Sequence, residues 1–311
     1  MHDLIIIGGG PAGAAAAVYA ARKRLKSIMI VEEWGGQSVV STDIQNWIGA
    51  TNISGTELAA AFRKHVEQYA GEFLDIRRTR ATGLHTFDDH IEVELKDGSK
   101  VSAATALITT GATRRKLEVP GASEFDQKGL TYCASCDGPL FADQDVAVVG
   151  GGNAAFETAL QLLAYCKSVT LLNRTDTFKA DAITTSAALS HTKMKALLNA
   201  DTLEVLGDKF VNGLKWKDMK TGEEHTISVA GVFVEIGLLP NTGWVGDVIE
   251  KNKIGQIVAD PRTQQTSHPR VWAAGDCTDA LYHQNNIAAG DAVTALEDIY
   301  IFLQRGGSEA Q

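Results

Sequence analysis

At 311 residues, 44% of them hydrophobic and 22% charged, the chain has the length of two domains and the composition of a globular protein with a substantial core. A net charge of −9 and a pI near 5.4 argue against nucleic acid as a partner, because phosphate binding needs a basic face and no run of Lys and Arg supplies one. Four cysteines, at 133, 136, 166 and 277, are too few and too scattered for a disulfide scaffold. Asp3 stands where a secretory leader would be basic, so the reducing cytoplasm is the expected compartment.

The first stretch, "LIIIGGGPAGAAAAVYAA", is uncharged over 18 positions, marginally enough to span a bilayer. Four glycines and Pro11 within its first ten residues make a buried strand, a tight loop and a helix the better reading, and no membrane association is expected. The strand is Leu4 to Ile7, apolar enough to be buried on both faces. Gly8, Gly10 and Gly13 then form G-x-G-x-x-G, and the run "SIMIV" leads to Glu32, 19 residues past Gly13. Strand, glycines, helix and acid together are the dinucleotide fingerprint in its required context. Gly8 serves the tight turn, Gly10 the approach of a pyrophosphate, and Gly13 the close packing of helix on strand. The free N–H groups of the helix start favour phosphate, and Glu32 or Glu33 would accept hydrogen bonds from an adenosine ribose. The plainer alternative is a glycine-rich turn that holds no ligand.

Alternating strands follow in "HIEVELKDGSKVSAATALITTGA", with a turn at Asp97-Gly98. The small residues Thr109 to Ala112 suggest a chain passing close to a ligand before "RRKLEVPG" crosses into a second domain. There "TYCASCDGPLF" places Cys133 and Cys136 three residues apart, ahead of Asp137. Such a pair is half a zinc site, an inert pair or a redox dithiol. Zinc would need two further Cys or His ligands at usable spacing, and the nearest histidines, His90 and His191, are more than 40 positions away. A thiolate at a helix start would have its pKa lowered from ~8.5, and the neighbouring Asp137 is a proton donor or acceptor. Cys166 reads as a core helix residue and Cys277 as a packed small one.

The dinucleotide plan recurs in "DVAVVGGGNAAFETALQLLAYCKSVTLLNR": a strand Val146 to Val149, then Gly150, Gly152 and Ala155, a helix through Leu163, and a strand leading to Asn173. Two dinucleotides are implied, and one flavin with one nicotinamide would make a hydride relay. "VAGVFVEIGLLPNT" closes this domain. A strand Val271 to Ala274, a loop at Gly275-Asp276 and a long helix then complete the first domain's sheet, and the end after Gln304 reads as disordered. The fold expected is α/β, with two Rossmann-like dinucleotide-binding domains of three-layer ββα type, the second inserted into the first. Residues 1–113 form the first part of one dinucleotide-binding domain, 114–242 the other, with the C-x-x-C, and 243–311 the remainder of the first.

On "GGGPAG", "GGQ" at Gly35 to Gln37, "TGA" at Thr110 to Ala112, "CASCDG", "GGGNAA", "IGLLPN" and "AAGDC", the sequence resembles the low-molecular-weight thioredoxin reductases and the flavoprotein subunits of alkyl hydroperoxide reductase. "CDGPLF" and "VFVEIGLLPNT" are nearer to the latter. Those flavoproteins carry an N-terminal thioredoxin-like domain, for which a chain starting at the flavin fingerprint has no room. The resemblance implies FAD in the first domain and NAD(P)H in the second, in an enzyme passing electrons from NAD(P)H through FAD and a Cys133–Cys136 disulfide to a protein disulfide. Cys136 would face the flavin, Cys133 would attack the partner, and Asp137 would manage the proton. The FAD set implied is Gly8, Gly10, Pro11, Ala12, Gly13, Glu32, Glu33, Gly36, Gln37, Asn46, Thr110, Gly111, Ala112, Gly275, Asp276, Gln284, Asn285 and Ile287. The family's second glycine after that last segment is Ala292 here. The NAD(P)H set is Gly150, Gly152, Asn153, Ala154, Ala155, Asn173, Arg174, Thr175, Lys179, Ile236 and Gly237.

The resemblance also implies a homodimer, a thioredoxin- or glutaredoxin-like partner, possible service to a peroxiredoxin, and rotation of one domain about hinges near 113–118 and 240–244. No carboxylate at Asn173 repels a 2′-phosphate, while Arg174 and Lys179 neutralise one and Thr175 hydrogen-bonds it, which favours NADPH. NADH, in a peroxiredoxin-system reductase, is the alternative, because the family's full basic pattern is incomplete and Asp176 weakens it. A more distant alternative is a ferredoxin–NADP-type flavin reductase, which would leave the dithiol without a role.

Overall fold

A computed structural model describes residues 1–41 and 44–306, so the expected disordered tail lies, from 307 onward, outside the described residues. The chain divides into two compact units, the first formed by Met1–Thr113 with Leu239–Gln311 and the second by Arg114–Leu238.

Unit 1 begins with β1 (His2–Gly9), α1 (Pro11–Arg22) and β2 (Ser27–Trp34). Then come α2 (Gly55–Glu67), β3 (Leu74–Arg77), β4 (Ala81–Thr86), β5 (Ile91–Leu95) and β6 (Lys100–Ile108). Side chains alternate across the strands as a period of two requires. Leu4, Ile6 and Met29 join a core with α1, whereas Ile5, Ile7, Ile28 and Ile30 join a second core with β4 and β5. Strand β6 changes partners along its length: Lys100 to Ala103 pair with β5, and Ala103 to Ile108 with β1. The turn between β5 and β6 is the expected one, with Gly98 at φ 81° and the Ser99 amide donating to Asp97 Oδ1 at 3.0 Å.

The crossover strand β7 (Ala112–Arg114) leads to unit 2, which contains β8 (Leu130–Thr131), the one-turn helix α3 (Ala134–Asp137), β9 (Asp145–Val149), α4 (Asn153–Leu163) and β10 (Ser168–Leu172). It continues with α5 (Ala182–Leu189), β11 (Met194–Leu197), β12 (Ala200–Gly207), β13 (Val211–Asp218), β14 (Glu224–Ile227) and β15 (Gly231–Val234). A parallel sheet in the order β11-β10-β9-β15-β8 faces an antiparallel sheet β12-β13-β14 across a core containing Ala147, Val149, Val232 and Val234. Its opposite face, Val146, Val148 and Phe233, packs on α4. Cys166 is fully buried in that second core but lies just past the end of α4, not within it.

The return strand is β16 (Leu238–Pro240), followed by β17 (Val271–Ala273) and α6 (Asn285–Gln304). β17 pairs with β6 through Ala106 to Ile108, completing the first sheet as expected. The second boundary falls at Leu238, not at 242. The reason is long-range: the Asn241 side chain donates to the Thr110 carbonyl at 3.0 Å and the Asn241 backbone carbonyl accepts from Thr110 Oγ1 at 2.8 Å, so 239–242 belong to unit 1. Trp244 Nε1 likewise donates to the Asn241 backbone carbonyl at 3.1 Å, so the stretch 241–244 is held within unit 1.

Candidate active site

Unit 1 holds a cleft of about 690 Å³ at the carboxyl ends of its parallel strands, where open α/β sheets bind ligands. Of the sequence-predicted FAD residues, Gly8, Gly10, Pro11, Ala12, Glu32, Glu33, Gly36, Gln37, Thr110, Gly111, Ala112, Gly275, Asp276 and Asn285 line it. Gly13 does not line the cleft. A Cβ there would stand 1.9 Å from the Gly8 carbonyl oxygen, so Gly13 serves the helix–strand contact, as its place in the fingerprint requires. Asn46, Gln284 and Ile287 also lie outside the lining; Asn46 Nδ2 instead donates to Gln284 Oε1 at 3.2 Å. Ala292 is fully buried, where a small side chain suffices.

The cleft fits an extended dinucleotide with an anionic centre. A Cβ on Gly10 would project to within 3.9 Å of the Gly36 Cα, into the gap between the fingerprint and the next loop. Helix α1 starts at Pro11 with no side-chain cap and no acid in its first turn. Helix α2 starts instead with a full capping box, Ser54 with Glu57, and α5 with Asp181. The helix ends next to the glycine loops thus keep their amides and positive partial charge for a ligand, as does the uncapped start of α6, whereas α2 and α5 satisfy theirs with their own side chains. Near the carboxyl end of β2 Glu32 and Glu33 line the cleft, and Arg80 Nε lies 3.6 Å from Glu32. Sequence reading missed Arg80, Ser38 and Trp244 in this lining. Ser38 carries a weak signal, being adjacent to "GGQ", and it donates to Asn285 Oδ1 at 3.0 Å. Arg80 and Trp244 carry none, since distant segments bring them in.

In unit 2, Gly150 (φ 148°) turns where a Cβ would meet the Glu235 carbonyl at 2.3 Å, and Gly152 caps α4 with open space around it. Helix α4, like α1, has no side-chain cap and no first-turn acid. Asn153 Oδ1 accepts from the Asp181 amide at 2.8 Å and the Lys179 amide donates to the Gly151 carbonyl at 2.8 Å, so the loop after β10 is folded against the fingerprint. Arg174, Thr175 and Lys179 are exposed there. Ala154 is exposed and Ala155 buried, while Ile236 and Gly237 (φ 113°) follow β15 at the same end of the sheet. Asn173 departs from the expected role. It is buried, its Nδ2 donates to the carbonyls of Thr175 (3.0 Å) and Thr177 (2.8 Å), and a Cβ on Gly151 would strike its Oδ1. These contacts commit the Asn173 amide group to shaping the loop after β10.

Cys133 and Cys136 are bonded to each other, with Cα atoms 5.3 Å apart. Both are half-buried. Cys133 caps α3, and Cys136 N–H points at its Sγ at 3.2 Å. Since α3 is a single turn, that one amide, not a helix dipole, is the local aid to a thiolate. Asp137 accepts from Thr131 Oγ1, which in turn accepts from the Cys133 amide at 3.2 Å, placing a carboxylate one hydroxyl away from the disulfide backbone. Cys277 and Cys166 are free and fully buried, and burial pushes both thiols up to about 11. Neither is poised to react. Among the described residues no three His, Cys, Asp or Glu side chains are grouped to hold a metal ion, and no helix is long and apolar enough to cross a membrane.

The family profile "Pyridine nucleotide-disulphide oxidoreductase" matches residues 2–294. The chain belongs to the pyridine nucleotide-disulphide oxidoreductase family. Among its relatives are a protein named NADH dehydrogenase from Bacillus subtilis (40% identical over 303 residues, 97% of this chain) and a Staphylococcus aureus protein named as a component of alkyl hydroperoxide reductase (38% over 304 residues, 98% of this chain). The chain spans only 59% of the length of either. Solved structures similar to it over nearly their whole length include thioredoxin reductase from Streptococcus pyogenes (35% identical, TM-score 0.88, 98% of this chain and 99% of that one). Another is thioredoxin reductase from Giardia duodenalis (30% identical, TM-score 0.93, 97% and 99%).

Proposed function

We propose that the chain takes an electron pair from NAD(P)H, passes it through FAD to the Cys133–Cys136 disulfide, and delivers it to a disulfide in a thioredoxin-like protein. The observation that carries this is the bonded pair itself, placed in the same unit as the second glycine fingerprint and backed by the Thr131–Asp137 carboxylate. FAD, held by the unit-1 cleft, supplies when bound the ability to accept a hydride and release two electrons. The chain's own residues do the rest. The amides at the start of α1 and the glycine loop bind the pyrophosphate, and Glu32 and Glu33 orient the ribose. Opening the disulfide breaks the S–S bond and takes up two electrons and two protons, and Asp137 is positioned to hold or hand on one of those protons. Cys133 then attacks the partner's disulfide, forming a mixed disulfide that Cys136 resolves, so the pair ends bonded again and the partner reduced.

For the nucleotide, the exposed Arg174 and Lys179, with no carboxylate beside them at position 173, favour NADPH. NADH, with a peroxiredoxin system as the final acceptor, is the second reading; the 38–40% identity to proteins bearing the names NADH dehydrogenase and alkyl hydroperoxide reductase supports it. The deciding experiment is anaerobic titration of the yellow protein with each nucleotide, followed by candidate thioredoxins. Uptake beyond the single pair a flavin holds, lost in the Cys133→Ser/Cys136→Ser double variant, is the expected result. A double variant that reduces the partner as fast as the parent would sink the dithiol reading.

A further inference from the structure

Glu235 is a carboxyl group in a place sequence patterning reserves for apolar side chains. It follows β15 directly, where Val232 and Val234 enter one core and Phe233 the other, on the α4 side. The same alternation aims Glu235 towards α4. Thr158 of that helix donates to its Oε1 at 3.0 Å, and the Arg114 guanidinium of the crossover lies 3.8 Å from its Oε2. Its side chain is 13% exposed.

Arg114 reaches further. Its Nη1 also donates to the carbonyl of Tyr132, the residue immediately before Cys133. Two more contacts from the same crossover hold Tyr132: the Leu117 amide donates to its phenol oxygen at 3.2 Å, and Lys116 Nζ sits 4.4 Å from its ring centre. The neighbouring Arg115 amide donates to the Gly237 carbonyl at 3.0 Å, so the outgoing and returning segments meet beside Glu235.

We infer that Glu235 is a positioning residue for the disulfide: when ionised it anchors Arg114 on the Tyr132 carbonyl and so favours the bonded geometry of Cys133 and Cys136. The inference rests on the reading of that pair as a redox dithiol. Glu235 contributes neither electrons nor protons to the S–S bond; opening it consumes an electron pair and two protons from elsewhere. Its effect is one of linkage. If the bonded form prefers the ionised carboxylate, the dithiol form binds additional proton at Glu235, and rising pH favours the disulfide more than thiol chemistry alone predicts.

The groups facing Glu235 set where this occurs. Burial raises its pKa to about 7, against the opposing pull of Arg114 and the Thr158 hydroxyl; Glu157, one residue earlier on α4, adds a like charge that raises it further. The carboxyl therefore changes charge in the range where the enzyme would work.

The test equilibrates the FAD-loaded protein with dithiothreitol buffers of fixed thiol-to-disulfide ratio, quenches with acid, and counts alkylated Cys133 and Cys136 by mass spectrometry. Glu235→Gln mimics the protonated carboxyl, so it should match the parent at about pH 5.5 and hold roughly three to ten times more dithiol at about pH 8.5, the effect of weakening one charge-assisted contact. Arg114→Lys keeps the charge but not the fork, and should shift the balance the same way at high pH. Curves for Glu235→Gln and parent that superimpose throughout overturn the inference while leaving the dithiol reading intact. So does a displacement of equal size at both ends of the range, which would mark a merely structural role. A parent whose disulfide no dithiothreitol ratio opens overturns both.

Discussion

Single residues separate those whose role is steric and local from those whose role depends on distant partners. Gly13 is of the first kind. Its Cβ would stand 1.9 Å from one backbone oxygen and 2.8 Å from the carbon bonded to it, and neither can move without shifting β1. Gly13→Ala should therefore cost about 3 kcal/mol or more in chemical denaturation and release FAD on gel filtration. A variant as stable as the parent and equally yellow would contradict the packing role. The nucleotide-reading residues are of the second kind. Arg174 and Lys179 are exposed and free to approach a 2′-phosphate, so Arg174→Ala with Lys179→Ala should lower kcat/KM for NADPH roughly 10- to 100-fold and leave NADH almost unchanged. Equal losses with both nucleotides would remove the phosphate from the argument. The fingerprint glycines were readable in sequence because backbone sterics act within a few positions. Asn173 was not, because its fate is decided by the carbonyls of Thr175 and Thr177 and the closeness of Gly151, none of which its residue type announces. Glu235 was visible as an acid interrupting "GVFVEIG", but its partners, Arg114 and Thr158, lie 121 and 77 positions away.

Helix beginnings carry the next level of meaning. α2 and α5 are capped by their own side chains, whereas α1 and α4, directly behind the glycine loops, are not. An added charge distinguishes a helix end kept for stability from one kept for a ligand. Asn153→Asp preserves the acceptor that binds the Asp181 amide, and places a negative charge at the first position of α4. It should leave Tm unchanged or raise it slightly, since an anion there gains about 0.3–1 kcal/mol from the helix dipole. The same charge repels nucleotide phosphates, so KM for the preferred nucleotide should rise about five- to tenfold. An unaltered KM would place the phosphates elsewhere. The strands and helices of the two fingerprints were legible because apolar runs and glycine punctuation repeat in both units, whereas α2, α5 and the sheet β12-β13-β14 carry no such punctuation and were not read. α3 was legible only as a helix start; it passes directly into a 3-10 turn at Gly138–Phe141, and a Cβ on Gly138 would lie 2.1 Å from the Tyr165 hydroxyl, a distant contact that the local sequence does not announce. The return boundary was misplaced by four residues because Asn241 is claimed by Thr110, a contact 131 positions apart.

The two units each enclose their own pair of cores, with the second unit inserted through two short crossover strands, and this predicts how the whole chain loses its structure. Units with separate cores and separate ligands melt as separate cooperative steps when their linkage is weak. The sign for Glu235 follows from its raised pKa: the unfolded chain ionises near 4.5 and the folded one at about 7, so between those values the native state holds the extra proton and stability falls as pH rises. The span corresponds to a few kcal/mol at most, about 3, and it belongs to unit 2. Calorimetry at about pH 8 should then resolve two transitions. Stripping FAD should lower only the one belonging to unit 1, by mass action on the native state. Glu235→Gln should raise only the other, and at about pH 4 parent and variant should coincide because both side chains are neutral. A single transition that FAD removal and Glu235→Gln both displace would show that the units unfold as one, and that the stability of the disulfide-bearing unit is set by the cleft of its neighbour.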